Sequence, residues 1–294
     1  MVSAVRTVLG EVAPERLGVV DAHDHLFIRS PRLPGQELAD VDRAAAALGE
    51  FRELGGGTVV QWTPYGMGRR IAELPALARE SGVHIIAATG LHQAAHYAQE
   101  VLRSVRHRLA GLFVGELTEG IGDTGVRAGL IKVAGGFHGL DDHATLTLRA
   151  AAEAHHATGA PIAVHLELGT GALDVLDLLC GELGVAPRSV ILGHLNRSPD
   201  FAVHRMAAEA GAHLAFDGPS RANHATDWRM PDAVAALADA GFADRLLLGG
   251  DTVTPDTPGM PHLLRRVRPR LELALGQELV ERILVTNPAR VYAW

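Results

Sequence analysis

The chain has 294 residues, of which 47% are hydrophobic and 21% are charged, and its formal net charge is -7 at pH 7. This length and composition predict one globular domain over residues 1–294, and they exclude a disordered chain. No block of Lys and Arg marks a surface for nucleic acid or for an anionic membrane. We therefore expect a small-molecule substrate as the partner, and neither nucleic acid nor membrane.

The N-terminal segment and the cysteine content indicate a reducing compartment. The first 18 residues include Arg6, Glu11 and Arg16 and contain no long apolar run, so they do not resemble a signal peptide. No stretch approaches the roughly 18 consecutive apolar residues of a membrane span. The single cysteine, Cys180, excludes an internal disulfide. A cytoplasmic location is the prediction.

Short apolar runs alternate with longer stretches of helical period along the whole chain. Strands are predicted at residues 18–26, 57–63, 83–90, 129–136, 161–167, 189–195, 212–218 and 245–251. Helices are predicted at 40–55, 69–82, 142–159, 171–184 and 231–241, with Asp40, Asp142 and Pro231 as their N-terminal signals. One helix and an extended loop are expected in the longest strand-free interval, 92–128. This alternation predicts an α/β fold, a (β/α)8 TIM barrel, with an open doubly wound sheet as the alternative.

Histidine and aspartate residues lie where four of the predicted strands end. His23 and His25 are two apart on the first strand, so both point to the same face. His165 ends the fifth strand, His194 the sixth and Asp251 the eighth. Singly, each residue is more often structural, but together they form a nitrogen and oxygen set suited to zinc or a similar ion at one rim of a barrel. Five ligands exceed the three of a one-metal site, which indicates two metals.

Lys132 is the only lysine in the chain, against 26 arginines, and it lies between apolar residues of the fourth predicted strand. An ammonium about 5 Å from a dication would cost roughly 6 kcal/mol at an effective dielectric constant near 20, so we expect a neutral amine. A neutral amine reacts with carbon dioxide to give a carbamate, whose two oxygens can bridge two cations, whereas arginine stays protonated. The alternative is a lysine paired with a carboxylate.

With these residues the sequence resembles the phosphotriesterase family of the amidohydrolase superfamily, which includes phosphotriesterase-like lactonases and phosphotriesterase-related proteins. The resemblance is carried by "TVLGEVAPERLGVVDAHDHL", "TGVRAGLIKVA", "PIAVHLE", "ILGHLNRSPD" and "ILVTNPARVYAW", and so runs almost end to end. It implies a (β/α)8 barrel with a binuclear centre, of zinc or else of cobalt or manganese.

The resemblance also implies a role for each ligand. His23, His25 and Asp251 would hold the more buried metal, and His165 and His194 the more exposed one. Carboxylated Lys132 and a hydroxide would bridge the two metals, and Asp251 would take the proton of that hydroxide. The implied reaction is hydrolysis of a lactone or carboxylic ester by the bridging hydroxide, with promiscuous action on phosphotriesters. Relatives of this kind are often homodimers, and we expect one here.

The resemblance does not fix the substrate, because the loops after the strands select it. The candidates for substrate contacts are Arg221, Tyr97, Trp228 and Trp62. Arg221 would meet a polar or anionic group, although a solvated loop arginine is equally consistent. Tyr97 and Trp228 would line an apolar wall or serve only in packing, and Trp62 with Gln61 would form a rim that differs from that of many relatives. His92 and His138 also lie near strand ends and stay unassigned.

Other functions remain open at this point. An amidase acting on an N-acyl substrate and a phosphotriesterase proper would use the same ligands. A metal-binding barrel without turnover would have no evident need for both Lys132 and Asp251. A one-metal deaminase of the superfamily would not need Lys132.

Overall fold

The computed structural model describes residues 3–218, 224–255 and 259–294, with the backbone alone at His224. In these ranges the strands are β1 Val5–Thr7, β2 Gly10–Val12, β3 Val19–Asp24, β4 Gly56–Gln61, β5 His84–Gly90, β6 Leu130–Ala134, β7 Ile162–His165, β8 Val190–Gly193, β9 His213–Asp217 and β10 Leu246–Gly249. Strands β3 to β10 form one parallel sheet in which each pairs with the next along the chain. Beyond β10, the Asp251 N–H donates to the His23 carbonyl at 2.9 Å, beside β3. The predicted (β/α)8 barrel is confirmed.

Helices follow the barrel strands, as the sequence predicts. Those in the described residues are α1 Val41–Glu53, α2 Leu74–Ser81, α3 Gln99–Val105, α4 Leu109–Thr118, α5 Asp142–Thr158, α6 Ala172–Leu176, α7 Phe201–Glu209, α8 His224–Asp227, α9 Met230–Asp239, α10 Gly259–His262, α11 Arg268–Leu275, α12 Gln277–Glu281 and α13 Asn287–Val291. Wider π-helical turns extend α6 over Asp177–Glu182, α10 over Leu263–Val267 and α12 over Arg282–Thr286. None of the described helices has the length and hydropathy needed to cross a membrane.

The helix signals in the sequence were mostly correct. The Asp40 side chain accepts from two backbone N–H groups at the start of α1, as expected of an N-cap. At α5 the cap is Asp141, one residue before the predicted Asp142. The interval 92–128 holds two helices, α3 and α4, where one helix and a loop were expected. The apolar stretch 109–118 has little amphipathic contrast, so its sequence alone does not separate helix from strand.

Inward-pointing side chains, which occur at every second residue of a strand, fill the barrel and also line its rim. Inward side chains such as Leu130, Ala163 and Ala215 form a fully buried inner core, while their neighbours pack outward against the helices. Two residues later along the same strands come Lys132, His165 and Asp217. Because side chains repeat their direction every second residue, the inner face changes from apolar to ionisable at the strand ends.

Glycines let two pairs of strands approach closely beneath this rim. Gly90 has φ +110° and ends β5, where a Cβ atom would collide with the Lys132 carbonyl. At Gly249 on β10, a Cβ would collide with the His23 backbone. Side chains larger than hydrogen would push Lys132 and His23 away from their positions.

A hairpin that the sequence analysis did not predict lies against the opposite end of the barrel. Strands β1 and β2 pair antiparallel, and Val5 belongs to the inner core with Tyr292. The Val8 N–H donates to the Ile85 carbonyl on β5 at 2.8 Å. At three residues each, these strands are too short to show a clear alternation of apolar and polar residues.

Candidate metal centre

The end of β3 places two imidazoles at the rim, each fixed through Nδ1. His23 Nδ1 donates to Asp217 Oδ1 at 2.8 Å. His25 Nδ1 lies 2.7 Å from Thr63 Oγ1, and that hydroxyl donates to the Phe27 carbonyl at 2.6 Å, so its oxygen accepts from His25. All four side chains of these two bonds are buried. The Nε2 atoms of both rings are left for another partner.

His165 and His194 are fixed from the other side of the cluster. His165 Nε2 donates to Glu167 Oε2 at 3.1 Å, and that hydrogen bond helps to lower the pKa of Glu167 to about 2. The Nδ1 atom of His194 lies 2.7 Å from Asp217 Oδ2, and the His194 N–H donates to the same oxygen at 2.9 Å. Asp217 therefore orients one ring from β3 and one that follows β8.

The remaining nitrogens of His165 and His194 face one another. His165 Nδ1 and His194 Nε2 are 2.8 Å apart. Burial lowers the pKa of His165 to about 3 and that of His194 well below its usual value, so both rings are neutral at pH 7. At this distance one nitrogen can donate to the other, and the tautomers of the two rings decide which of them carries the proton. Two nitrogens bound to one tetrahedral zinc ion lie roughly 3.3 Å apart, so a small movement of these rings would let them share one ion.

Lys132 enters the same cluster from β6. It is 2% exposed, and burial lowers the pKa of its amine to about 7. Its amine lies close enough to Asp251, His25 and His165 to affect their ionisation, which places it beside the proposed ligands. Much of the amine is consequently neutral at pH 7, as the sequence argument requires.

Asp251 lies just beyond the end of β10, with a left-handed backbone at φ +49°. Its Oδ1 atom is 3.5 Å from His23 Nε2 and 3.7 Å from His25 Nε2. Its Oδ2 atom contacts Arg197 Nη2. Burial raises the pKa of this carboxyl although the nearby guanidinium opposes the rise.

The donor atoms fit a metal centre. Among the described residues, His23, His25 and Asp251 offer ligand atoms within 4.8 Å of one another, and so do His23, His194 and Asp217. In the second group both Nδ1 atoms are engaged by Asp217, so we assign that carboxylate to orientation of the rings rather than to ligation. Metal-bound histidines typically use one nitrogen for the metal and the other for such a partner.

Burial corrects the predicted substrate contact Trp62 and the rim that it was expected to form with Gln61. Trp62 is fully buried, its ring stacks on His23 at a centroid separation of 3.7 Å, and its Nε1–H donates to the Ala22 carbonyl. Gln61 is also fully buried and bonds to the backbone of Leu26 and Phe27. Both side chains support β3 and the residues after it, and neither forms a rim.

Tyr97 is connected to the cluster through His92. Its hydroxyl oxygen accepts from the His92 N–H at 2.7 Å, and its side chain is 7% exposed. The His92 ring packs against His165 with centroids 4.5 Å apart. Tyr97 thus braces His92, and a direct role for Tyr97 in substrate binding stays a prediction.

The other predicted contacts lie farther out. Trp228 is 65% exposed and packs against the Arg270 guanidinium, in a cavity of about 330 Å³ that α9 and α11 help to line. Arg221 lies outside the described residues. His138 is exposed, with its ring against Phe137.

Several residues that contact the predicted ligands were not predicted from the sequence: Asp217, Thr63, Glu167 and Arg197. Asp217 carried the same signal as Asp251, a carboxylate at the end of a predicted strand. Glu167 stands two residues after His165 in the quoted "PIAVHLE". The pairing of Thr63 with His25 joins residues 38 apart and has no local signal.

The chain matches a known protein family over nearly its whole length. A sequence profile of the phosphotriesterase family matches residues 3–292. The chain belongs to the phosphotriesterase family. Membership confirms the prediction of a metal-dependent hydrolase.

Relatives in the phosphotriesterase family cover the chain almost completely. A phospho-furanose lactonase of Mycoplasmopsis synoviae is 31% identical, over 98% of this chain and 91% of that protein. An N-acetyltaurine hydrolase of Salmo salar is 27% identical, over 97% of each. The crystal structure of a lactonase from Listeria monocytogenes superposes with a TM-score of 0.91 at 27% identity, covering 98% of both chains.

Proposed function

We propose that this phosphotriesterase-family protein is a binuclear hydrolase that opens a lactone or carboxylic ester, with hydrolysis of phosphotriesters as a side activity. The observation that carries the proposal is the orientation of the four imidazoles. Each has one nitrogen beside an oxygen of Asp217, Thr63 or Glu167, and the other turned toward Asp251 or a facing imidazole. Imidazoles held in this way present one nitrogen to a metal ion while the other is fixed by the protein.

The donor atoms that the orienting hydrogen bonds leave available define the proposed ligand sets. His23 Nε2, His25 Nε2 and Asp251 Oδ1 would hold one ion, and His165 Nδ1 and His194 Nε2 would hold the second. Lys132, once carboxylated, would reach both ions from β6. Zinc suits these nitrogen and oxygen donors, and cobalt or manganese would be accepted by the same set.

When bound, two divalent ions would lower the pKa of a water between them and polarise the substrate oxygen. The protein's own groups then have separate roles. Asp251 accepts a proton at its carboxylate and can return it to the leaving oxygen. Asp217 and Glu167 keep the histidine tautomers fixed, while Trp62 holds the His23 ring from behind.

The substrate class is supported by the names of the relatives. Two of the similar proteins are lactonases, which favours attack at the carbonyl of a cyclic ester. An N-acyl amide is the second candidate, because the salmon relative is an N-acetyltaurine hydrolase. Attack on either carbonyl would use the same ligands, so the two candidates differ only in the leaving group and in the loops.

Turnover of the zinc-loaded protein on a panel of lactones, N-acyl amines and phosphotriesters tests this function. Lactone hydrolysis at the highest kcat/KM is the expected result. Turnover of N-acyl amines alone would replace the lactonase proposal with the amidase. Metal analysis should give two ions per chain, and Lys132→Arg should lose activity, because a guanidinium forms no carbamate. Full activity of Lys132→Arg would overturn the mechanism.

A further inference from the structure

Arg197 is a partly buried cation at the edge of the proposed metal centre, and the mechanism above gives it no role. Its side chain is 12% exposed, and its Nη2 atom contacts Asp251 Oδ2. Its Nε atom is buried without a hydrogen-bond partner. A guanidinium that is buried with a donor unused carries a cost, so its position needs an explanation.

The segment that carries Arg197 is fixed by its neighbours. The preceding residue, Asn196, donates to the Asp217 carbonyl at 2.7 Å and to Asp227 Oδ1 at 2.5 Å, and it accepts from the Asp217 N–H at 2.9 Å. His194, which begins this turn, has a left-handed backbone at φ +67°. The arginine therefore extends from a point that is tied to β9, and its reach to Asp251 is set by the backbone.

The two oxygens of Asp251 have different surroundings. Oδ1 is directed at His23 Nε2 and His25 Nε2, whereas Oδ2 meets the guanidinium of Arg197. A carboxylate without this contact could rotate and exchange its oxygens. We propose that Arg197 is a positioning residue, which fixes the rotation of the Asp251 carboxylate so that Oδ1 faces the two β3 histidines.

A receptor for an anionic group of the substrate is the competing role for Arg197. Burial disfavours its charge, but Asp251, Asp217 and Asp227 outweigh that effect and raise the pKa of Arg197. The positive charge is thus already balanced by carboxylates of the protein. A substrate anion would have to compete with them, so the positioning role is favoured.

Zinc binding tests the inference without any substrate. Metal-stripped wild type and the variants Arg197→Gln, Arg197→Lys and Asp251→Asn are titrated with zinc against a chromophoric chelator, together with the double variant of Arg197→Gln and Asp251→Asn. We expect Arg197→Gln to weaken zinc binding about tenfold, the scale of lost orienting contacts, and Arg197→Lys to restore part of it. In the Asp251→Asn background the Arg197→Gln change should add nothing. Arg268→Gln, which removes the surface pair with Glu272, is the matched control and should bind zinc like wild type.

The outcomes separate this inference from the proposed function on which it rests. Unchanged zinc affinity in Asp251→Asn would overturn the proposed ligand set itself. Weak binding by Asp251→Asn with wild-type binding by both Arg197 variants would overturn only the positioning role. An Arg197→Gln effect that persists in full in the double variant would also overturn it, because the arginine would then act elsewhere.

A kinetic readout follows once the panel identifies a substrate. Arg197→Gln should lower kcat with KM within about twofold, since a misplaced carboxylate affects the reaction more than binding. Millimolar methylguanidinium should restore part of the activity and zinc affinity of Arg197→Ala. A raised KM with unchanged kcat would instead identify a substrate-binding arginine and overturn the positioning role.

Discussion

The arginine–carboxylate pairs Arg69–Glu116 and Arg197–Asp251 lie at different places in the barrel and differ in how many carboxylate oxygens the arginine contacts. Arg69 Nη1 donates to Glu116 Oε2 and to the Ala88 carbonyl, at 2.8 and 2.9 Å, and its Nη2 contacts Glu116 Oε1. The Thr89 hydroxyl adds another bond to the same carboxylate at 2.6 Å. Both oxygens of Glu116 are therefore occupied.

We call Arg69–Glu116 the closed pair, because both carboxylate oxygens are bound, and Arg197–Asp251 the open pair, because the arginine contacts one oxygen. The guanidinium holds only Oδ2 of Asp251, and Oδ1 is turned toward imidazole nitrogens 3.5 and 3.7 Å away. A buried ion pair contributes to stability only when the remaining hydrogen-bond donors and acceptors of both side chains also have partners. The closed pair therefore serves the fold, whereas the open pair keeps an oxygen available for a ligand.

Removing the open carboxylate should give the largest effect. Asp251→Asn is expected to lose about a thousandfold or more in turnover, because a ligand and a proton acceptor disappear together. Steady-state kinetics and metal analysis on the folded variant measure this loss. Near-wild-type turnover would show that Asp251 belongs with the structural pair.

Breaking the closed pair should lower the stability of the fold and leave activity unchanged. Glu116→Gln leaves the Arg69 guanidinium buried without its partner and should lower the free energy of unfolding by about 3–5 kcal/mol. Zinc content and turnover per folded molecule should stay unchanged. Chemical denaturation gives the first quantity, and a loss of zinc from the folded variant would contradict the distinction between the pairs.

Asp217 tests whether orientation matters as much as ligation. Asp217→Asn replaces the acceptor shared by His23 and His194 with an amide, and we expect zinc affinity to fall about 10–100-fold. Competition titration provides the measurement, and Asp200→Asn, at the exposed cap of α7, is a control. Equal affinity in wild type and Asp217→Asn would remove Asp217 from the site.

The pH dependence of zinc loading should show the smallest change. Burial lowers the pKa of Lys132 to about 7, so its amine is neutral above that pH and an unreactive ammonium below it. The neutral fraction of the amine falls about tenfold from pH 8 to pH 6, and carbamate formation also releases a proton. At a fixed, subsaturating concentration of dissolved carbon dioxide, carboxylation and zinc loading should therefore fall at least about tenfold over this range. Loading of Lys132→Arg should not respond to carbon dioxide, and a response equal to that of wild type would exclude the carbamate.

Much of the fold was predictable because barrel strands are short and apolar and the helices between them begin with polar caps. All eight predicted strands overlap an observed barrel strand, from β3 to β10. The hairpin of β1 and β2 and the second helix of the interval 92–128 were missed. Both are short or uniformly apolar, and neither carries a distinct periodicity.

The proposed ligands could be chosen from the sequence because each lies in or at the end of a predicted strand, whereas their supporting residues could not. Trp62 was expected at a rim and lies instead behind His23, since aromatic character does not specify which face is buried. The roles of Thr63 and Arg197 depend on their contacts with His25 and Asp251, which are distant in the chain.

By itself the sequence determined a parallel barrel and brought its ionisable residues to one end, because alternation with period two and the βα repeat are local properties. Only the tertiary structure decided which nitrogen of each histidine is tied and which oxygen of Asp251 is open. Those choices depend on hydrogen bonds between residues as far apart as His23 and Asp217. Such bonds form when the barrel brings these strands together, and no local pattern encodes them.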